Sequence, residues 1–262
     1  MDLELTSKRA IVTGGRRGIG RAIAAALAAE GAHVVIASRD ADGLAKTAQE
    51  LRNSTGGTVE AHVVDTASAD SVAALVSDTV ASLGGVDILV NNATTVIAGP
   101  TSTLDSTPEA VAAGFDDKVL SYLRVARAVL PPMIDQRWGR IISIGGQSAL
   151  YVGSLASTIR NSSVRTLSKN IADENGGLGI TANTVQPGPT VTERLLERLD
   201  GQTADERAEA LNKMAERVSL RRLVTAEEVA AVVAFLASPR SVAINGSTID
   251  VGGGGTLGNI FP

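Results

Sequence analysis

A glycine-rich stretch near the amino terminus has the spacing of a phosphate-binding turn. Residues 13–20 read Thr-Gly-Gly-Arg-Arg-Gly-Ile-Gly, and they stand between a short apolar run and an alanine-rich stretch with helical spacing. In a strand–turn–helix context, glycines let the backbone approach a pyrophosphate, which then lies on the N–H groups that begin the helix. The stretch therefore predicts a dinucleotide site rather than a purely structural turn. The residues assigned to cofactor binding here are Gly14, Arg16, Arg17, Gly18, Ile19 and Gly20.

The residues about 20 positions beyond the glycines indicate which dinucleotide is bound. An acidic side chain there usually holds the 2′-hydroxyl of the adenosine ribose. This sequence instead has Ser38 and Arg39, with Asp40 one position later. We expect Arg39 and Arg17 to flank a 2′-phosphate, since guanidinium groups pair well with phosphate oxygens. Ser38 and Arg39 are therefore assigned to the cofactor, and NADP(H) is preferred over NAD(H); the alternative is that both arginines are solvated surface residues.

Short apolar runs alternate with helical stretches along almost the whole chain. Most of these runs are continuous, which is typical of strands buried on both faces of a parallel sheet. The alternation predicts an α/β fold, a single-domain Rossmann-like doubly wound parallel sheet of about seven strands with helices on both faces. We expect one domain over residues 1–262, with a helical lid at about 189–220, because insertions after a strand lie over the ligand crevice. The predicted strands are Arg9–Thr13, His33–Ser38, Val59–Asp65, Asp87–Asn91, Arg140–Ile144, Ile180–Gln186 and Ser247–Val251.

The composition excludes several other classes of protein. The 262 residues include no cysteine and two histidines, and the net charge is −4. Without cysteine there is no disulfide, no thiolate-ligated metal and no thiol nucleophile, and we predict no metal site. An acidic chain without a long basic run is not expected to bind nucleic acid. No apolar run reaches the roughly 18–20 residues of a membrane span, so we expect a cytoplasmic protein that does not enter a membrane.

Further motifs follow the turn in a fixed order. They are Asp65 at the end of the third run, Asn91-Asn92-Ala93-Thr94 beginning at the end of the fourth, Pro187-Gly188 with Thr190 and Thr192 after the sixth, and the ending 244–253. Together with the turn, these motifs make the sequence similar to the classical short-chain dehydrogenase/reductase family over nearly its whole length, although Thr94 stands where the family usually has glycine. The resemblance implies that Asp65 lies against the adenine and that the Pro-Gly segment borders the nicotinamide. The cofactor residues implied in this way are Asp65, Asn92, Ala93, Thr94, Pro187, Gly188 and Thr190.

The family's usual catalytic pair, Tyr-x-x-x-Lys, does not occur in this sequence. In that pair the phenol donates a proton to the substrate carbonyl, and the nearby ammonium lowers the pKa of the phenol. Neither Tyr122 nor Tyr151 has a lysine four residues later. Tyr151 is a candidate proton donor in the loop beyond the fifth strand, with packing against the pocket as the alternative, and Tyr122 is interpreted as a core residue.

Two alignments place different residues at the positions of the missing pair. Counting from the fifth strand gives Ile159 and Ser163, whereas counting back from the downstream phrase Leu-Ser-Lys at 167–169 gives Ser157 and Asn161. We prefer the second alignment, because the helix phrase is the closer match. Neither alignment restores the tyrosine or the lysine.

The position of the family's active-site asparagine carries Lys118 in this sequence. An exchange of roles is one hypothesis: Lys118 supplies the ammonium from the neighbouring helix, and Asn161 supplies the amide. A buried lysine shifts its pKa readily and can itself act as the acid. The alternative is that Lys118 is a solvated or salt-bridged helix residue. The catalytic candidates are therefore Lys118, Tyr151, Ser157 and Asn161.

Two functions remain open from the sequence alone. The first is an NADP(H)-binding oxidoreductase that acts on a carbonyl or hydroxyl of a small molecule through a non-standard site. The second is a catalytically silent dinucleotide-binding protein, either a sensor or a supporting subunit. We favour the enzyme because of the family resemblance. The resemblance also implies a homotetramer or homodimer, while the substrate is left undetermined.

Overall fold

The seven apolar runs of the sequence form strands in the computed structural model, which describes residues 1–95, 99–149 and 154–254. Two further short strands flank the predicted lid. The strands are β1 (Arg9–Thr13), β2 (His33–Ser38), β3 (Val59–Val63), β4 (Ile88–Asn91), β5 (Gly139–Ile144), β6 (Ile180–Pro187), β7 (Thr190–Val191), β8 (Val224–Thr225) and β9 (Thr248–Val251).

The helices connect successive strands of the sheet. They are α1 (Gly18–Ala29), α2 (Ala41–Thr55), α3 (Ala69–Leu83), α4 (Pro108–Phe115), α5 (Ser121–Asp135), α6 (Leu155–Asn175), α7 (Glu193–Glu197), α8 (Ala204–Glu216) and α9 (Ala226–Ala237). A π-helical turn, Asp116–Leu120, joins α4 to α5. Glycines in the left-handed conformation end α2 at Gly56 and α3 at Gly84, where a residue with a Cβ would be strained.

The main sheet has the strand order β3-β2-β1-β4-β5-β6-β9, and every neighbouring pair is parallel. The order reverses between β1 and β4, since the chain leaves β1 toward β2 on one side and later returns to β4 on the other. Such a switch point opens a crevice at the carboxyl ends of the two strands. The predicted α/β doubly wound fold is therefore confirmed, and the crevice is where a ligand site belongs.

Both faces of the sheet are covered by apolar helices. On one face α1 and α9 pack together through fully buried side chains such as Ile23, Leu27 and Val233. On the other face α3, α5 and α6 bury a second cluster that includes Leu75 and Val129. Burial on both sides explains why the strand sequences are continuous apolar runs rather than alternating ones.

Four predicted strands (the fourth, fifth, sixth and last) differ from the structure by one residue at one end, and two other predictions differ by more. The third strand ends at Val63 rather than at Asp65, because the Asp65 amide donates to the Ser71 hydroxyl (3.0 Å) near the start of α3. The predicted lid range of 189–220 is not helical throughout. It begins with β7, which pairs with β8 before α9, and α7 and α8 form the helical part.

Within the described ranges, none of the helices is both long enough and apolar enough to cross a membrane.

Candidate functional site

Hydrogen bonds fasten the glycine-rich turn to the end of β4. The Thr13 hydroxyl donates to the Val90 carbonyl (3.2 Å) and accepts from the backbone amides of Asn92 (3.0 Å) and Ala93 (3.1 Å). The Asn92 amide group donates in turn to the carbonyls of Thr13 (3.0 Å) and Gly14 (3.1 Å). Residues that are about 80 positions apart in the sequence thus form one wall of the crevice.

The turn packs too closely for side chains at two of its glycines. Gly14 has a φ of +66°, and a Cβ on Gly20 would lie 2.3 Å from the Gly14 carbonyl oxygen and 2.4 Å from the Asn92 side-chain nitrogen. α1 begins directly after Arg17, whose side chain does not cap the helix, and the first turn of α1 contains no acidic residue. A helix start that receives no cap from its own N-cap residue, with bare backbone beside it, fits a pyrophosphate, because the N–H groups and the helix dipole both favour an anion.

Two adjoining cavities, of about 280 and 220 Å³, occupy the crevice. Gly14, Arg17, Ala93 and Thr94 line both of them. The first cavity is also lined by the predicted cofactor residues Arg16, Ser38, Arg39 and Asp65. The second is also lined by Gly18, Ile19, Gly20, Asn92 and Pro187, and by the catalytic candidate Lys118. The structure therefore brings most of the assigned residues to one groove that runs from the end of β2 to the end of β5.

Two residues assigned to the cofactor, Gly188 and Thr190, contact other residues of the loop after β6 and do not line this groove. Gly188 lies against Gln147, whose Oε1 would be 2.6 Å from a Cβ at that position. The Thr190 hydroxyl donates to the Gly188 carbonyl (2.9 Å). Thr192 lines the second cavity and accepts from the Leu195 amide (3.3 Å) at the start of α7. Thr190 and Thr192 belong to the same sequence motif. Of the two, Thr192 lines the groove, because the chain passes through β7 between Gly188 and α7.

The charged residues of the first cavity are partly paired with each other. The Arg16 guanidinium lies 3.3 Å from the Asp40 carboxylate, which also accepts from the Gly43 amide (3.1 Å) as the N-cap of α2. Arg39 is exposed at the end of the cavity. Arg17 donates to the Glu197 carboxylate (2.7 and 2.9 Å) on α7.

Lys118 lies in the π-helical turn and is only 4% exposed. Its ammonium donates to the Gly145 carbonyl (2.9 Å) and to Asn161 Oδ1 (2.7 Å). An ammonium has three N–H donors, so one donor is left for a ligand in the second cavity, which Lys118 lines. A π-turn adds a residue to the helix and is frequent at functional sites. Here it places the lysine against the end of β5.

Asn161 connects Lys118 to a serine that the sequence analysis did not select. Its Nδ2 donates to the Ser148 hydroxyl (2.7 Å), and that hydroxyl lies 3.5 Å from the Ser157 carbonyl oxygen. A Cβ on Gly146 would lie 3.0 Å from Asn161 Nδ2. Ser157 is half-buried one helical turn before Asn161 on α6. Tyr151 lies outside the described residues.

The surroundings of Lys118 disfavour its charged form. Burial, and to a smaller degree the Arg160 guanidinium, lowers the pKa of Lys118 from 10.5 to about 7, while Asp117 opposes the shift. Asp117 accepts from the Thr94 hydroxyl and the Thr95 amide, both at 2.8 Å. The lysine is therefore able to gain and lose a proton near neutral pH.

Tyr122 lies next to this cluster, and the centroid of its ring is 5.8 Å from the Lys118 ammonium. The side chain is 1% exposed, and its hydroxyl donates to the Ile144 carbonyl (3.1 Å). Burial raises the pKa of Tyr122. Its ring packs with Val119 and Val164 in a small apolar cluster, in agreement with the interpretation of Tyr122 as a core residue.

In the part of the chain that the structure describes, no three His, Asp or Glu side chains converge as a metal site would require. At this groove the structure brings together the Lys118 ammonium, the Asn161 amide and the Ser148 hydroxyl.

Comparison with known proteins shows which family has this combination of fold and groove. A family model described as enoyl-(acyl carrier protein) reductase matches residues 14–256. The uncharacterized oxidoreductase YvrD of Bacillus subtilis is 36% identical over 265 residues, which cover 97% of this chain and 98% of YvrD. The chain belongs to the short-chain dehydrogenase/reductase family.

Solved structures of the family show the same fold with nicotinamide cofactors. L-sorbose reductase from Gluconobacter frateurii, complexed with NADPH and L-sorbose, superposes with a TM-score of 0.90 at 30% identity and covers 98% of this chain and 100% of its own. A 7α-hydroxysteroid dehydrogenase complexed with NADH and a 7-oxo bile acid has a TM-score of 0.87 at 29% identity, with 97% and 96% of the two chains covered. This short-chain dehydrogenase/reductase is accordingly an NAD(P)-dependent oxidoreductase that binds a nicotinamide dinucleotide.

Because the pKa of Lys118 is lowered in the folded chain, we predict that the free energy of unfolding depends on pH. Between about pH 7 and pH 10.5 the unfolded chain holds a proton on Lys118 that the folded chain has lost. The free energy of unfolding should therefore rise with pH in this window, by about 1.4 kcal/mol per pH unit relative to Lys118→Met. Below about pH 7 both states are protonated, and the difference between the two proteins should be constant.

Urea unfolding of the wild type and of Lys118→Met at several pH values across this window measures the effect. Curves of stability against pH that run parallel for the two proteins would show that the folded-state pKa of Lys118 is not depressed. Lys169→Met, at an exposed lysine of α6 that pairs with Asp173, is the matched control and should follow the wild type.

Proposed function

We propose that this enzyme interconverts a carbonyl and a hydroxyl group of a small molecule with NADP(H), and that Lys118 is its proton donor and acceptor. The observation that carries the proposal is the position of the Lys118 ammonium. It is buried at the groove, held by Gly145 and Asn161, and retains one donor. These features support the exchange of roles between the lysine and asparagine positions.

The residues around Lys118 have separate tasks in this proposal. A bound nicotinamide cofactor supplies or accepts the hydride. Lys118 donates its proton to the carbonyl oxygen during reduction and takes a proton from the hydroxyl during oxidation. Asn161 keeps the ammonium in place through its Oδ1, and Ser148 fixes the orientation of the Asn161 amide. Asn161 and Ser148 are therefore positioning residues.

The preference for NADP(H) rests on the charges at the adenosine end of the groove. Ser38 and Arg39 leave no carboxylate at the end of β2 to accept from a ribose 2′-hydroxyl. The carboxylate of Asp40, the next residue, is already used by Arg16 and by the Gly43 amide. Arg39 and Arg17 line the same cavity and supply the positive charge that a 2′-phosphate requires. The NADPH complex of L-sorbose reductase supports this assignment by likeness.

We also propose that the enzyme is a homodimer or homotetramer. Among the described residues β9 pairs only with β6 and ends the main sheet, so its outer edge presents unpaired backbone groups. Light scattering during size-exclusion chromatography should give the mass of two or four chains. A mass of one chain would contradict this proposal.

Replacement of Lys118 should slow the chemical step. We expect Lys118→Met to reduce the single-turnover rate of NADPH oxidation with reactive carbonyls by about 10²- to 10⁴-fold, which is the usual contribution of a general acid. The affinity for NADPH, followed by nicotinamide fluorescence, should change much less. Lys169→Met is the control for loss of a lysine, because its exposed side chain pairs with Asp173 away from the groove. An unchanged rate in Lys118→Met would exclude Lys118 as the acid.

The pH dependence of reduction tests the same assignment. Reduction requires the protonated amine, so the rate should fall as the pH rises through about 7. In Lys118→Arg the cation remains protonated, so this fall should be absent from the neutral range. A wild-type profile without any fall between about pH 6 and pH 9 would contradict the proposal.

The cofactor preference is tested at Arg39. Arg39→Gln should weaken NADPH binding about 10- to 100-fold, since a charged hydrogen bond to phosphate contributes roughly 1.5–3 kcal/mol. NADH binding should stay within about twofold, because that cofactor has no 2′-phosphate. Arg127→Gln, at an exposed position of α5, is the control. Equal losses for NADPH and NADH would show that Arg39 does not recognise the 2′-phosphate.

A further inference from the structure

Two carboxylates of α7 contact the glycine-rich turn. Glu193 Oε2 accepts from the Gly18 backbone amide (3.0 Å), and the Glu197 carboxylate accepts from the Arg17 guanidinium (2.7 and 2.9 Å). The two acids are four residues apart on a helix, so they lie on the same face of α7. Gly18 and Arg17 are consecutive in the turn that was assigned to phosphate binding.

The contact at Gly18 takes the place of an anionic ligand. α1 receives no cap from Arg17 and has no acid in its first turn, so Glu193 supplies the negative charge that this helix start favours. A pyrophosphate on the glycine-rich turn needs the same N–H groups. The Glu193 carboxylate and the pyrophosphate cannot both accept from Gly18, and two anions so close together repel each other.

The helix that carries these acids, α7, contains no buried residue, and neither does α8. The segment around them is held by the pairing of β7 with β8, by the buried side chains of Leu199 and Val218, and by backbone hydrogen bonds from Ser219 and Leu220 to the chain after β9, so α7 itself adds no buried side chain to this attachment. Segments with few buried apolar contacts open at low free energy. The exposed pair of Arg17 and Glu197 adds little to this attachment.

We propose that α7 is an ionic latch on the cofactor site. Glu193 and Glu197 hold Gly18 and Arg17 while the site lacks a dinucleotide, and the phosphates of the dinucleotide displace both carboxylates and release α7. The inference rests on dinucleotide binding at the glycine-rich turn, and it is independent of the chemistry at Lys118. Its consequence is that the latch lowers the apparent cofactor affinity in proportion to the fraction of molecules in which it is closed.

The test is the affinity of Glu193→Gln for NADPH and for adenosine 2′-monophosphate. The glutamine has nearly the same shape and no charge, so it should hold Gly18 more weakly and should not repel a phosphate. We expect NADPH to bind about 3- to 10-fold more tightly, as for a latch that is closed in roughly 70–90% of molecules. Adenosine 2′-monophosphate has no pyrophosphate, so its affinity should not change. Glu209→Gln is the matched control, because Glu209 pairs with Lys213 on α8.

A second variant separates the two carboxylates. Glu197→Gln frees Arg17, which is one of the two arginines assigned to the 2′-phosphate, so it should increase the affinity for NADPH more than for NADH. Glu193→Gln should increase both affinities by the same factor, because both cofactors contain the pyrophosphate. If Glu193→Gln proves to be unfolded in a thermal melt, the NADPH affinity of Glu197→Gln is the test: tighter binding than in the wild type supports the latch, and unchanged binding contradicts it.

Several outcomes would overturn the latch. Unchanged or weaker NADPH binding in both variants would show that the carboxylates do not compete with the cofactor. An equal gain for adenosine 2′-monophosphate in Glu193→Gln would indicate a general effect of charge rather than competition at Gly18. If the wild type binds neither NADPH nor NADH, the cofactor assignment fails together with the latch. Cofactor binding without turnover would affect only the role of Lys118.

Discussion

The hydrogen bonds between the ends of β1 and β4 are the interaction on which the rest of the site depends. Thr13 and Asn92 exchange donors and acceptors across the switch point of the sheet, and Asn92 also holds the Gly14 carbonyl. These bonds satisfy backbone groups that the end of a strand leaves without a partner. They also set the position of the helix start at Gly18, so the anion site and the strand wall form one rigid unit.

The second constraint is the burial of a charge next to this unit. An ammonium inside a protein is unfavourable unless hydrogen bonds compensate for the lost water. Lys118 receives this compensation from a strand-end carbonyl and from one amide side chain, and both come from elements that pack around β5. The compensation is incomplete, which is why the pKa of the lysine falls to about 7. The incomplete compensation for lost water lowers the stability of the fold, and it also brings the pKa of the Lys118 ammonium into the range where the lysine can exchange a proton near neutral pH.

Charged side chains of α7, in the lid, contact the glycine-rich turn and line the groove beside Lys118. Its first helix places Glu193 on the Gly18 amide and Glu197 on Arg17, whereas Arg194 between them lines both cavities of the groove. Acidic and basic groups therefore lie side by side along a short helix that contains no buried residue. A helix of this kind responds to the charge of the ligand in the groove, because none of its own side chains is fixed by burial.

The parts of the protein that depend on local pattern can be predicted from the amino-acid sequence. Continuous apolar runs are enough to predict buried parallel strands, and glycine spacing with Ser38 and Arg39 is enough to predict a dinucleotide groove. The predicted third strand is two residues too long, since it ends where the Asp65 amide donates to the Ser71 hydroxyl, a contact that has no signal in hydropathy.

The contacts between residues that are distant in the sequence became visible in the folded chain. Lys118 and Asn161 are 43 residues apart, and Glu193 and Gly18 are 175 apart. Counting along a family pattern could align Lys118 and Asn161 with functional positions, but it selected Thr190 for the groove and passed over Thr192, Ser148 and Glu193. The physical reason is that contacts of this kind depend on the packing of α6 and α7 against the strand ends, and local sequence contains no record of the distances that this packing produces.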